Sequence, residues 1–131
     1  MIARALRLRR PFEFERVRRQ GRSWATPLVV MAVLPNDLGQ NRYGFAVGRR
    51  VGKAAARNRV KRWMREATRR LHPCLQQGYD IVFIARGTMA DPGVTYHQVY
   101  DAIAVLTERA KLRQHREDCS QASPDTRGTP P

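Results

Sequence analysis

The segment "AAARNRVKRWMREATRRL", Ala54 to Leu71, constrains the chain more than any other stretch. At ~100° per residue, Val60, Trp63, Met64, Ala67 and Leu71 share one helical face. An amphipathic helix must bury such a stripe against another layer. Runs rich in β-formers stand on either side of it, "WATPLVVMAVL" (Trp24 to Leu34) before and "YDIVFIAR" (Tyr79 to Arg86) after. A helix packed on a sheet is therefore expected. The opposite arc holds Asn58, Arg62, Arg65 and Arg69, with Arg57 and Lys61 along one edge and Arg59 and Arg70 along the other. Glu66 is the segment's one acid, four residues from both Arg62 and Arg70. Pairs at that spacing contribute ~0.3–0.5 kcal/mol each, too little to offset the repulsion among the remaining cations.

That repulsion asks for a partner. From Arg49 to Arg70, ten of 22 residues are basic, and the 131-residue chain carries a formal net charge of +14 with a pI near 11.4. A solvated helix face normally mixes signs, whereas this arc is nearly all positive, so it reads as a surface for a polyanion. Of the 25 basic residues 22 are arginine, which grips phosphate bidentately and stacks on bases, although a GC-rich coding sequence would favour arginine too. A membrane surface fits less well, because the apolar side of the helix is already committed to a core contact. DNA-groove helices are usually exposed, and this one lies between strands. Asn58 both donates and accepts, which suits a base edge or a 2′-hydroxyl; it equally suits a local backbone bond at the helix start.

The rest of the chain reads as one modest domain. "RRPFEFERVRRQG" is expected to be a short helix, with Pro11 at its first position and Gly21 just past its end. Phe14 and Val17 lie on one face of it. Trp24 to Leu34 is apolar on both parities, as in a strand buried on both sides, and "PNDLGQN" after it points to a hairpin. In "RYGFAVG" (Arg42 to Gly48), Tyr43, Phe45 and Val47 alternate with Gly44, Ala46 and Gly48, leaving one face small enough for close approach. Pro73 stops the basic helix. "TYHQ" (Thr95 to Gln98) fits a capping box opening a helix whose stripe is Tyr96, Val99, Tyr100, Ile103, Leu106 and Ala110. The order expected is α-β-β-α-β-α, an α+β sandwich over residues 1–112, with 113–131 a disordered tail. The crossover carrying the basic helix is right-handed by default.

No catalytic apparatus is visible. Cys74 and Cys119 form neither a metal spacing nor a disulfide framework, and His72, His97 and His115 are scattered. Asp37, Asp91 and Asp101 stand in loops or on a helix without partners. Metal-dependent phosphodiester hydrolysis gathers carboxylates around its ions, so no catalytic residue and no protein metal ligand is assigned. The first residues lack the apolar core of a signal peptide, and no run reaches the ~20 apolar residues of a membrane span. A soluble, cytoplasmic protein is expected.

"RNRVKRWMREATR" (Arg57 to Arg69), preceded by "GFAVGRRVGKA" (Gly44 to Ala54), closely resembles the signature of the protein subunit of bacterial ribonuclease P, and the resemblance runs from the first helix to about Leu112. It implies a single-domain α-β sandwich with a four-stranded sheet and three helices (ribosomal protein S5 domain 2-like). It also implies a left-handed β-α-β crossover, against the default, and a short extra strand near Arg49 to Gly52. The function implied is that of a subunit of an endoribonuclease whose catalyst is RNA. Mg2+, held mainly by the RNA and its substrate, supports hydrolytic removal of the 5′ leader from precursor tRNA, leaving the mature 5′ end. The partners implied are the catalytic RNA and precursor tRNA with its leader, with no membrane and no obligate protein partner. Position by position, the match makes Arg57, Asn58, Arg59, Lys61, Arg62, Arg65 and Arg69 RNA-contacting residues, with Arg49, Arg50 and Lys53 as a basic loop beside them. The leader is expected in a cleft between the first helix and the sheet, at Phe14, Arg18, Val30 and Ala46. Phe14 either stacks on a base there, a contact of ~1–3 kcal/mol, or fills the core. Arg18 stands where relatives often carry an aromatic, and the strand lacks an aromatic near Ala32, so charge is expected to carry more of the leader contact.

Overall fold

The computed structural model describes residues 6–113; the tail expected over 113–131 lies outside them except for Arg113. Helix α1 spans Pro11–Gln20, followed by strands β1 (Arg22–Ala25), β2 (Val29–Pro35) and β3 (Arg42–Val47), helix α2 (Ala54–Leu71), strand β4 (Tyr79–Ala85) and helix α3 (Tyr96–Arg109). The sheet order is β1-β2-β4-β3, with β3 parallel to β4 and the other pairs antiparallel. Three helices and a four-stranded sheet are as expected; the way the strands arise is not.

The run Trp24 to Leu34 is two strands rather than one. Thr26 Oγ1 accepts the N–H groups of Leu28 (3.3 Å) and Val29 (3.1 Å), and Thr26 N–H donates to the Val29 carbonyl (2.9 Å). With Pro27 between them, these bonds make the turn of a β1–β2 hairpin. The turn after β2 makes no hairpin, because β4 inserts between β2 and β3. The extra strand expected near Arg49 to Gly52 is absent: Arg49–Val51 is a 3-10 turn with Val51 buried. Gly52 leaves that turn at φ 143°, a conformation open to glycine, and so starts α2. The fourth strand is β1.

One sheet face, carrying Met31, Val33, Tyr43, Ile81 and Phe83, packs against α2 through Val60, Met64, Ala67 and Leu71 and against α3 through Val99, Tyr100, Ile103 and Leu106. This is the core that the two helical stripes called for. Trp63 is only half-buried, with the Arg59 guanidinium 5.4 Å from its ring centroid. Thr68 is buried instead, its hydroxyl donating to the Met64 carbonyl at 2.8 Å. The expected capping box is present, Thr95 N–H donating to Gln98 Oε1 (3.1 Å) and Gln98 N–H to Thr95 Oγ1 (3.4 Å). α2 ends at Leu71 and a 3-10 turn through Pro73 follows. There the Asn41 amide donates to Tyr43 Oη (3.1 Å), and Tyr43 Oη shares a hydrogen bond with His72 Nδ1 at 2.7 Å. Cys74 is buried in this turn.

The second face is covered only in part. α1 lies over it with Val17 fully buried against Ala32 and Val82. Gly21 closes α1 where a Cβ would stand 2.5 Å from the carbonyl oxygens of both Val17 and Val33. No larger residue permits that approach.

Candidate nucleic-acid interface

Strand register arranges the partly covered face in rows. Leu34, Asp80 and Arg42 form one row across β2, β4 and β3; Ala32, Val82 and Gly44 form the next; Val30, Ile84 and Ala46 form the third. α1 covers the first two rows. Asp80 takes ion pairs from Arg42 (2.8 Å) and Arg16 (3.0 Å) and a hydrogen bond from Asn36 (2.9 Å), while Glu13 reaches Arg42 at 3.2 Å. Phe14 lies on Gly44, where a Cβ would meet its ring at 2.7 Å. The small face read from the sequence thus receives an aromatic ring. The third row stays half-exposed as an apolar floor beside α1.

Of the four residues expected in a cleft there, Val30 and Ala46 belong to this floor, Phe14 stands at its edge, and Arg18 is exposed on α1 one turn beyond Phe14. Phe14 is half-buried against the core cluster, so it serves both of the roles expected of it as alternatives. Ile84, central in the row, was not singled out from the sequence. Its position follows from pairing β4 with both neighbours, which no local pattern encodes.

The cationic arc of α2 runs along the β3 side of the same sheet. Arg57, Lys61 and Arg65 recur every four residues and are half-buried, whereas Asn58, Arg59, Arg62 and Arg69 are exposed, as are Arg49, Arg50 and Lys53 before the helix. Lys61 and Arg65 line a groove of about 560 Å³ together with Arg7, Arg9, Phe14 and Phe45. The N-terminal segment reaches this groove by pairing with the β3 edge, Leu8 N–H donating to the Tyr43 carbonyl at 2.7 Å. Arg7 and Arg9 carried no signal as site residues beyond their charge.

Glu66 departs from expectation. It pairs with Arg69 (2.6 Å) and Arg70 (3.5 Å), and Arg62 has no ion pair among the described residues. A helical acid pairs better with a base C-terminal to it than with one N-terminal, which favours Arg70 over Arg62. The hydrogen bond from Arg69 holds the Glu66 carboxyl below its ordinary range, so Arg69 is the one member of the arc already neutralised. Arg70, at the edge of the arc, shares that acid; Arg57, Arg59, Lys61, Arg62 and Arg65 form no ion pair among the described residues, and the acids Glu13 and Asp80 are turned to α1 and the sheet. Among the described residues no three His, Cys, Asp or Glu side chains gather within reach of one metal ion. No helix among them is long and apolar enough to cross a membrane.

A contiguous surface of one charge sign, joined to an apolar floor with an aromatic edge, suits a single-stranded polyanion with stacking bases. Known proteins resemble this chain in sequence and in fold. The family model described as Ribonuclease P matches residues 2–111. The ribonuclease P protein component of Natranaerobius thermophilus is 42% identical over 113 residues, covering 86% of this chain and 96% of that protein. The one from Chloroflexus aurantiacus is 45% identical over 111 residues, covering 85% and 82%. Among solved structures, the RNase P protein of Staphylococcus aureus superposes with a TM-score of 0.77 at 27% identity, covering 85% of this chain and all of that one. That of Thermotoga maritima gives 0.73 at 32% identity, covering 79% and 96%. The chain therefore belongs to the ribonuclease P protein family, the protein components of a tRNA-processing ribonucleoprotein.

Proposed function

We propose that this subunit binds two RNAs: the catalytic RNA of ribonuclease P and the 5′ leader of precursor tRNA. In this reading the RNA carries the catalysis, using Mg2+ held by the RNA and its substrate, and the cleavage leaves a mature tRNA 5′ end in the cytoplasm. The observation that carries the reading is the junction of two unlike surfaces. The outward arc of Asn58, Arg59, Arg62 and the preceding Arg49, Arg50 and Lys53 suits phosphates held in a folded RNA. The floor of Val30, Ile84 and Ala46 beside Phe14 suits an unpaired strand. Arg18 at the rim supplies charge to the same strand. The described carboxylates are taken up by arginines or stand apart, which supports leaving hydrolysis to the RNA.

Reconstitution tests this. The purified protein alone leaves precursor tRNA intact, and added to the catalytic RNA it lowers the Mg2+ concentration needed for cleavage or the KM for precursor tRNA. A protein that changes neither quantity is not acting as this subunit.

A further inference from the structure

We infer that Trp63 is a positioning residue: its ring holds the Arg59 guanidinium in place for an RNA phosphate. The inference rests on the proposed function, which gives Arg59 an RNA to bind, and adds an uncharged residue that the arc itself would not single out.

By spacing Trp63 belongs to the apolar stripe of α2, yet Val60, Met64, Ala67 and Leu71 are buried and Trp63 is only half-buried. At ~100° per residue it stands where that stripe meets the edge bearing Arg59 and Arg70. Part of the side chain packs against the core, and the Arg59 guanidinium, from one turn earlier, lies 5.4 Å from the ring centroid. A leucine would complete the stripe, so packing alone does not call for an indole. Holding a cation does: the indole is the best ring for it, and a guanidinium set on a ring keeps N–H groups free to donate.

A second arginine on the same edge provides the contrast. Arg70 lies 5.9 Å from the Tyr96 ring centroid, but Glu66 already takes its charge at 3.5 Å. Arg59 is exposed and forms no ion pair among the described residues, since Glu66 is occupied by Arg69 and Arg70. Of these two arginines set on rings, Arg59 is the one whose charge is uncommitted. An exposed arginine samples many rotamers and loses them when it binds. The Trp63 ring removes part of that loss in advance. Phosphate is the acceptor that suits a guanidinium so held, because its oxygens take two N–H bonds from the fork. Both RNAs of the proposed function carry it.

The test uses the full chain with catalytic RNA and precursor tRNA as separate ligands, in a double-mutant cycle of Trp63→Leu and Arg59→Ala. Trp63→Leu is expected to weaken binding about threefold, with the log Kd against log salt slope unchanged because no charge is lost. Arg59→Ala flattens that slope by about 0.7–0.9, and in its background Trp63→Leu has no further effect. Trp63→Phe keeps a ring and recovers part of the affinity. Should Trp63→Leu fail to fold, Trp63→Phe closes the same cycle with a smaller coupling. The RNA on which the coupling appears is the one that supplies the phosphate. Equal losses from the Trp63 substitution with and without Arg59, on both RNAs, overturn the positioning role and leave Trp63 a packing residue. If the wild-type chain binds neither RNA, the proposed function itself fails, and that outcome is seen before any variant is compared.

Discussion

Asp80 has no exposed surface, yet two arginines and an asparagine converge on it. Burial pushes its carboxyl up; the hydrogen bonds from Arg42, Asn36 and Arg16 outweigh burial and hold it below the ordinary value of 3.8. The same contacts hold Arg42 above its usual range, the bond to Asp80 leading. Because α1 supplies Arg16 and Glu13, this cluster ties the helix over the second sheet face and so fixes where Phe14 sits. Asp80→Asn leaves Arg42 and Arg16 facing a neutral amide and should lower the unfolding free energy by about 3 kcal/mol near neutral pH. The sign with pH follows from the lowered folded value: the unfolded chain takes up the proton first as pH falls, so the stabilisation is complete above 3.8 and drains away below it. Denaturant titrations of both proteins should therefore converge in acid. A gap of the same size at low pH would show that Asp80 acts by shape rather than charge. Nothing in the sequence flagged Asp80, since its partners lie on α1, β3 and the turn after β2 and meet only in the folded chain.

At the scale of elements, periodicity located α1, α2 and α3 and the faces they bury, because each helix carries its own stripe and its own start or stop signal. The strands were less legible. β2 is apolar on both parities because α2 and α3 cover one face of it and α1 part of the other, so nothing in its pattern separates it from β1. Only the Thr26–Pro27 turn does. The turn after β2 looks like a hairpin because turn residues report a reversal and not which strand will pair. The hand of the crossover is likewise absent from spacing and came from resemblance alone. On α2 the cationic arc was legible, but its division was not, since the choice of Glu66 between bases three or four residues away on either side depends on rotamers. That division has a consequence. Arg62 is exposed and has no ion pair among the described residues, whereas Arg69 is forked by Glu66 at 3.0 and 2.6 Å. Salt titrations of binding to the catalytic RNA should lose about 0.7–0.9 from the log–log slope in Arg62→Ala and distinctly less in Arg69→Ala. Equal changes would mean that the phosphate displaces Glu66 and that the pair seen here opens on binding.

For the whole molecule, the question is whether a formal charge of +14 draws RNA to any part of the surface or whether the fold sorts it. The cations of α2, of the turn before it and of the N-terminal segment gather around the β3 edge. α3 differs. Its exposed positions are Gln98, Val105, Glu108 and Arg109, with the half-buried Asp101 against His97 at 3.3 Å and Glu108 near Arg113 at 3.9 Å. Exposed charges beyond a Debye length, about 8 Å at physiological salt, scarcely feel one another, and exposed pairs of this kind contribute little to stability. Replacing Asp101 by Asn and Glu108 by Gln adds two units of positive charge without touching the arc or the floor. If net charge governed binding, the double variant would hold precursor tRNA and the catalytic RNA more tightly, with a steeper salt dependence. If the arc and the floor govern it, both slope and affinity at physiological salt stay as in the wild type, while Arg62→Ala, which removes only one unit, still shows its loss. The comparison weighs position against quantity of charge in one protein. A tightening on adding charge to α3 would bring that helix into the interface, and the sidedness read from the fold would have to be given up.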